Sequence, residues 1–515
     1  MPVEARTGKR FAVVAGHPLA ADAAAQLLQD GGGNVVDAAI AGAAVLTIAL
    51  PHACSLGGDC FALVHVGGQT YGVNGSGRSP TKLPVDASPQ QLAGGPLSCS
   101  VPGVLGGWQE LHRRFGRLPW RMLFPRAIEL AQQGVPVASE LAGAMRRLRE
   151  PLMRDPGCRA LFLQDGQPWQ YGERLVQPAL ASTFDTLAAE GARALYEGDI
   201  GATLCRGIQA AGGVLDREDL AEYRPDWVAP LEYVYRGHAV RVMPPNSWGV
   251  FMLMQLAALD GVAFGDRPRG SSDRFDPLIR AARASFSIGS RFVADPRDVA
   301  DALPKALSAS TVQALRTAMA VGVASASAVQ QSQGTAVISV ADSEGNGITI
   351  VQSVFMPFGS LVADSSTGIV MNNRLLGFTN DPSHPNRAAP AKRPAHTLNP
   401  VMVLNHGKLH WLMGTPGGSG QTLTLVQVLS NLLDYGMDLT AAVAEPRWSM
   451  DLEGQLLLEP EIGADVADAL AARGLNTRIA AEQRTFFGSA ECIEYVQDGL
   501  SAVADHRRNA GVAVG

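Results

Sequence analysis

The chain has 515 residues, 46% of them hydrophobic and 17% charged, with a formal net charge of −6. This balance excludes a disordered chain, and the scattered Lys and Arg residues leave no nucleic-acid footprint. Histidine and cysteine are not clustered at metal-ligand spacing, and the six cysteines include no C-x-x-C pair, so no metal site is expected and a reducing compartment is.

In chain order, Pro18 to Leu28 is rich in Ala and Leu and predicts a helix, stopped by Asp30-Gly31-Gly32-Gly33-Asn34. A second helix, about Val35 to Leu50, is nearly all Ala, Val and Ile and must be buried on most faces. The apolar stretch Ala38 to Pro51 is too short to span a membrane, and residues 1–15 carry no signal-peptide core, which predicts a cytoplasmic protein. Asp37 and Asp59 read as capping or turn residues. Two strands, Cys60 to Val66 and Thr70 to Asn74, follow a tight loop. From about 103 to 320 the pattern is mainly helical, with one strand-like insertion from Tyr233 to Met243. Asp266 to Pro277 and the Ser/Ala-rich run 308–333 read as loops. Beyond Thr335 the chain is strand-rich, with helices near 420–434 and 439–444. Helix-rich first two-thirds and strand pairs at both ends predict one α+β sandwich of sheets covered by helices.

Gln333-Gly334-Thr335 opens a strand that runs to Asp342, and Gly347 to Phe355 forms the next one. If the bond before Thr335 breaks, one residue carries both a nucleophile, its Oγ, and a base, its own α-amine. An α-amine with a reference pKa of roughly 7.7–8.0 is partly neutral near pH 7.5 and can take the hydroxyl proton. Scission after the 308–333 run would fall after an accessible linker.

Gly414-Thr415-Pro416-Gly417-Gly418-Ser419-Gly420-Gln421 joins a strand to a helix, where backbone N–H groups suit an anion or an oxyanion. Gln421 stands where a phosphate-binding loop needs lysine, which argues against nucleotide binding. Arg78 and Arg374 each read as a carboxylate clamp or as a loop charge, and the apolar-flanked His396 as a core histidine or a substrate contact.

Taken together, these segments resemble the γ-glutamyltransferase family, N-terminal-nucleophile hydrolases that cut themselves to expose a threonine. The resemblance is carried in order by Gly32-Gly33-Asn34-Val35-Val36-Asp37-Ala38-Ala39, Leu56-Gly57-Gly58, Val101-Pro102-Gly103, residues 213–223, Met243-Pro244-Pro245, the Thr335 strand, Pro416-Gly417-Gly418-Ser419, Asp434-Tyr435-Gly436 and Glu445-Pro446-Arg447. It implies a four-layer α-β-β-α sandwich, cleavage between Gly334 and Thr335, and associated fragments 1–334 and 335–515. It implies Thr335 as nucleophile, Ser353 as its hydrogen-bonding partner and Gly417 and Gly418 as the oxyanion hole. The substrate is then a small amide, with no cofactor, and a homodimer is compatible.

Departures from the transpeptidase pattern are informative. The carboxylate-binding arginine is displaced: Ser76 occupies its position and Arg78 lies two residues on. Phe355 replaces an asparagine, Leu376 or Gly377 replaces an acid, and His396-Thr397 replaces a serine pair. An α-amino cation would lack its carboxylate, a loss of about 2–5 kcal/mol in a desolvated site. The remaining pattern, with Asn373, Arg374, His396 and Thr397, is closer to the amidohydrolase and acylase branch, with Arg78 and Arg374 as candidate carboxylate holders. A γ-glutamyl transferase with a rearranged clamp, and a non-processing homologue that binds small acids, are the alternatives.

Overall fold

Side-chain alternation along the strands decides the layering of the computed structural model, which describes residues 3–29, 32–322, 334–451, 454–480 and 484–515. The strands of the two main sheets are β1 (Glu4–Gly8), β2 (Phe11–Ala15), β3 (Asp59–Val66), β4 (Gln69–Gly75), β5 (Asp226–Val228), β6 (Leu231–Tyr235), β7 (His238–Val242), β8 (Gly334–Asp342), β9 (Gly347–Phe355), β10 (Val401–Asn405), β11 (Lys408–Gly414), β12 (Glu491–Val496), β13 (Gly499–Ala504) and β14 (Gly511–Val514). One sheet runs β14-β2-β8-β9-β3-β4-β5 and the other β1-β13-β12-β11-β10-β7-β6. Each main sheet draws strands from both sides of residue 334, so neither segment holds a complete main sheet.

Val337 and Ala341 of β8 and Val351 of β9 face Leu412, Met402 and Ile493 of the other sheet in a shared apolar layer. The alternate residues Ile338, Val340, Ile348 and Ile350 face the other way, against α1 (Pro18–Gln29) and α2 (Val35–Ala49). All fifteen residues of α2 are buried, as its apolar composition requires. Its start is fixed by a capping box in which Asn34 and Asp37 satisfy each other's backbone N–H groups. On the far side, Val401, Val403, Met413 and Cys492 pack against α3 (Gly249–Leu259), α4 (Ser272–Gly289) and α5 (Gly420–Leu433). The result is the expected helix, sheet, sheet, helix stack.

Three expectations are corrected. The single strand at 233–243 is the hairpin β6–β7, turned by Arg236 and Gly237 at φ 49° and 81°, a pair of left-handed residues suited to a tight hairpin. Asp266 to Pro277 is not all loop: α4 begins at Ser272 and contains Pro277. An interior proline costs a helix about 3 kcal/mol, and burial of Phe275, Leu278 and Ile279 outweighs it. The 308–333 run holds a helix over Ala309–Val321, while Gln333 and the rest of its end lie outside the described residues. Gly334 and Thr335 themselves are buried in β8.

Candidate active site

Register places Thr335 of β8 directly opposite Ser353 of β9, with an irregularity between Gly334 and Thr335. A bulge there turns local backbone groups out of the ladder. Thr335 is 2% exposed, and its Oγ donates to Ser353 Oγ at 3.4 Å. Ser353 in turn donates to the Gly334 carbonyl and accepts the Phe355 N–H at 2.8 Å. The hydroxyl of Thr335 is therefore relayed to the carbonyl of its own preceding peptide bond. Only glycine fits at 334, since a Cβ would meet the Phe355 and Met356 carbonyl oxygens at 2.7 and 2.8 Å.

At the end of β11, Gly414 packs over Val337 of β8: a Cβ on it would lie 2.5 Å from Val337 Cγ1. The loop that leaves Gly414 therefore starts in the layer of Thr335. Pro416 and Thr335 line one small cavity. Gly417 and Gly418 adopt φ 127° and 58°, a conformation that favours glycine. Neither of their N–H groups is taken up by a backbone carbonyl among the described residues. They precede α5, whose N-terminus adds a favourable dipole for negative charge.

Beside Ser353, β3 begins at Asp59, its register partner. Asp59 is not merely a turn residue. Its Oδ1 accepts the Gly77 N–H at 2.9 Å, and its Oδ2 lies 3.4 Å from Arg374 Nε and 3.2 Å from His396 Nε2. All three side chains are fully buried. His396 Nδ1 accepts the Leu398 N–H, so the proton sits on Nε2 and points to Asp59. Burial and the Arg374 charge pull the His396 pKa to about 4, against Asp59, which leaves the ring neutral at pH 7. Burial pulls Arg374 to about 10, with Asp59 opposing, and the guanidinium remains charged. It lies over the Phe355 ring at 4.1 Å, and none of its nitrogens makes a hydrogen bond to the described residues.

The other sequence candidates fall in different places. Asn373 uses its amide on backbone groups, accepting Met356 N–H and donating to Ala93 O. It shapes the loop carrying Arg374. Thr397 is buried, and its hydroxyl has no hydrogen-bond partner among the described residues. Arg78 is partly exposed and contacts Asp295 and the Ala391 carbonyl, a set of partners separate from that of Arg374. Sequence reading missed the role of two acids: Asp59, whose charged partners Arg374 and His396 are more than 300 residues away, and Glu491, which sits with Thr335 on the same cavity. Glu491 occupies the inward phase of a strand otherwise apolar there, a signal that alternation offered.

These four layers are those of N-terminal-nucleophile hydrolases, and the comparisons with known proteins agree. The family model described as gamma-glutamyltranspeptidase matches residues 20–515. A glutathione hydrolase-like YwrD proenzyme of Bacillus subtilis is 32% identical over 520 residues, covering 99% of each chain. An oxamate amidohydrolase proenzyme of Klebsiella pneumoniae is 30% identical over 521 residues, covering 98% of each. The crystal structure of a cephalosporin acylase from Bacillus halodurans superimposes with a TM-score of 0.91 at 31% identity, over 99% of this chain and 97% of that one. The chain belongs to the γ-glutamyltranspeptidase family and is an enzyme of it.

Proposed function

We propose that this chain is a self-processing amidohydrolase with Thr335 as nucleophile, acting on small amides that carry a carboxylate. The observation that carries the reading is the relay from Thr335 Oγ through Ser353 Oγ to the Gly334 carbonyl. Attack of Oγ on that carbonyl breaks the Gly334–Thr335 C–N bond, moves the hydroxyl proton to the Thr335 nitrogen and leaves an ester. Ser353 steadies the oxyanion formed on the way. Water then cleaves the ester, giving fragments 1–334 and 335–515, which stay together because both contribute strands to each sheet.

In turnover the freed α-amine takes the Thr335 hydroxyl proton as Oγ attacks the substrate amide. The Gly417 and Gly418 N–H groups receive the oxyanion, a contribution of about 2.7–4 kcal/mol per donor in such sites. The leaving amine takes the proton, and a water deprotonated by the α-amine releases the acid.

Arg374 supports the choice of substrate. A buried guanidinium with no hydrogen bond is costly, and a carboxylate satisfies it in bidentate fashion. Gly334 pairs with Phe355, the ring under Arg374, so cleavage frees the approach to that charge. The names of the amidohydrolase and acylase relatives point the same way. The test is a panel of monoamides of short dicarboxylic acids, their neutral counterparts and a γ-glutamyl anilide. Preference for the carboxylate-bearing monoamides is expected. Turnover of the anilide alone would replace this reading with a γ-glutamyl one.

A further inference from the structure

Glu491 is a buried carboxyl group in the strand phase that Ile493 gives to the apolar layer between the sheets. Along β12, Ile493 points into the layer between the sheets and Cys492 away from it, so Glu491 also faces the gap. It is the register partner of Gly414, where the Gly417-Gly418 loop begins. A Cβ added to Gly16 would lie 3.7 Å from Glu491 Oε1 and 3.8 Å from the Val337 nitrogen, so the carboxyl reaches β8 two residues from Thr335. Glu491 and Thr335 line one cavity of about 20 Å³ with His52, Glu140, Pro416 and Arg508, room for about one water. Glu491 Oε2, His52 Nδ1 and Arg508 Nε are buried there without a hydrogen-bond partner among the described residues. An apolar residue would avoid that cost.

We propose that Glu491 is a positioning residue for Thr335: its carboxylate is the counter-charge for the α-ammonium formed whenever the Thr335 amine takes a proton. The proposal rests on Thr335 being the nucleophile. Before processing, the Thr335 nitrogen is a neutral amide and Glu491 has no cation to balance but Arg508; burial pushes its carboxyl well above the usual range, against Arg508. Cleavage supplies the missing cation. In each half-reaction the proton moves from Oγ, or from water, to the amine nitrogen and on to the leaving group, and Glu491 stabilises the charge while it stays. The other charged and titratable neighbours are Arg508, Glu140 and Asp505, with His17 and His52 on the cavity wall. Burial lowers both histidines, to about 4 and about 3, so neither adds charge at pH 7. Asp505 is taken up by Arg447 and Arg507.

The test uses full-length protein: a denaturing gel for processing, then kcat/KM against pH for wild type, Glu491→Gln and Glu491→Asp on an amide the wild type turns over. Loss of the counter-charge favours the neutral amine, so the acid limb in Glu491→Gln moves to lower pH by about one unit, while Glu491→Asp moves it less. A processed Glu491→Gln with the wild-type profile overturns the proposal. On wild type alone, the pH dependence of α-amine acylation at Thr335, read by mass spectrometry, gives a midpoint above the ordinary value of roughly 8; a midpoint at or below it also overturns the proposal. Wild type left uncut overturns the nucleophile itself, and the gel shows this before any profile is measured.

Discussion

Two buried arginine clusters in this protein differ in bonding. Arg507 grips Glu459 with Nε and Nη2 at 2.7 and 2.6 Å, Asp505 with Nη1 at 3.0 Å, and the carbonyls of Val443 and Glu445. Arg447 joins it through Asp505 and the Val443 carbonyl. Every acceptor there is matched to a donor, so the cluster is a clamp between β13, the 443–447 turn and Glu459. Arg374 is equally buried but has one carboxylate, Asp59, at a distance of charge contact without a hydrogen bond. The satisfied cluster holds the fold; under the proposed function the unsatisfied one takes a substrate carboxylate.

Substitutions should separate the two. Arg507→Met leaves Asp505 and Glu459 with buried, uncompensated charge and should lower unfolding free energy by about 3–5 kcal/mol, read from denaturant titration. Arg374→Met leaves Asp59 the Gly77 N–H and the His396 ring as its remaining partners, so the stability loss should be smaller than for Arg507→Met, while KM for a carboxylate-bearing amide rises on the order of 100-fold. If Arg374→Met instead unfolds the protein with KM unchanged, the contrast between the clusters is false.

Acid should loosen them in different windows. His396 has a folded pKa of about 4, below its ordinary value near 6.5. Between those values the unfolded chain binds a proton the folded chain refuses, so this contribution is full above pH 6.5 and is lost as pH falls toward 4. The loss approaches about 3 kcal/mol, and His396→Gln should flatten that part of the stability profile. In the other cluster burial raises the Asp505 pKa, but Arg447 and Arg507 outweigh it and hold it low. Its contribution persists above the ordinary Asp range and fades only in stronger acid. The smallest effect is expected from Ser353. Ser353→Ala removes one hydrogen bond to the Gly334 carbonyl and should slow self-cleavage about 10-fold, with Ser353→Thr close to wild type, timed on gels.

What was legible in the sequence follows the range of the interactions. Strands β8 and β9 and helices α1, α2 and α5 announce themselves through local periodicity and Gly/Asn turns, and the structure keeps their bounds nearly unchanged. Thr335, Ser353 and the glycine pair sit in short recognisable strings. Pro277 misled because tertiary burial of its neighbours overrode a local breaker. Asp59 was read as a turn residue because nothing near it in the chain hints at Arg374 or His396, which only sheet register brings to it. Glu491 went unread although strand alternation set it in the inward phase of β12, because only sheet register brings it to Gly414 and the Thr335 layer.

The most direct test of Thr335 as a self-exposing nucleophile is intact mass on purified wild type beside Thr335→Ala. Two fragments of ~35 and ~19 kDa are predicted in the wild type, the smaller one beginning at Thr335, and a single uncut chain in the variant. An uncut 54.1 kDa chain in both, without amidase activity, would contradict it.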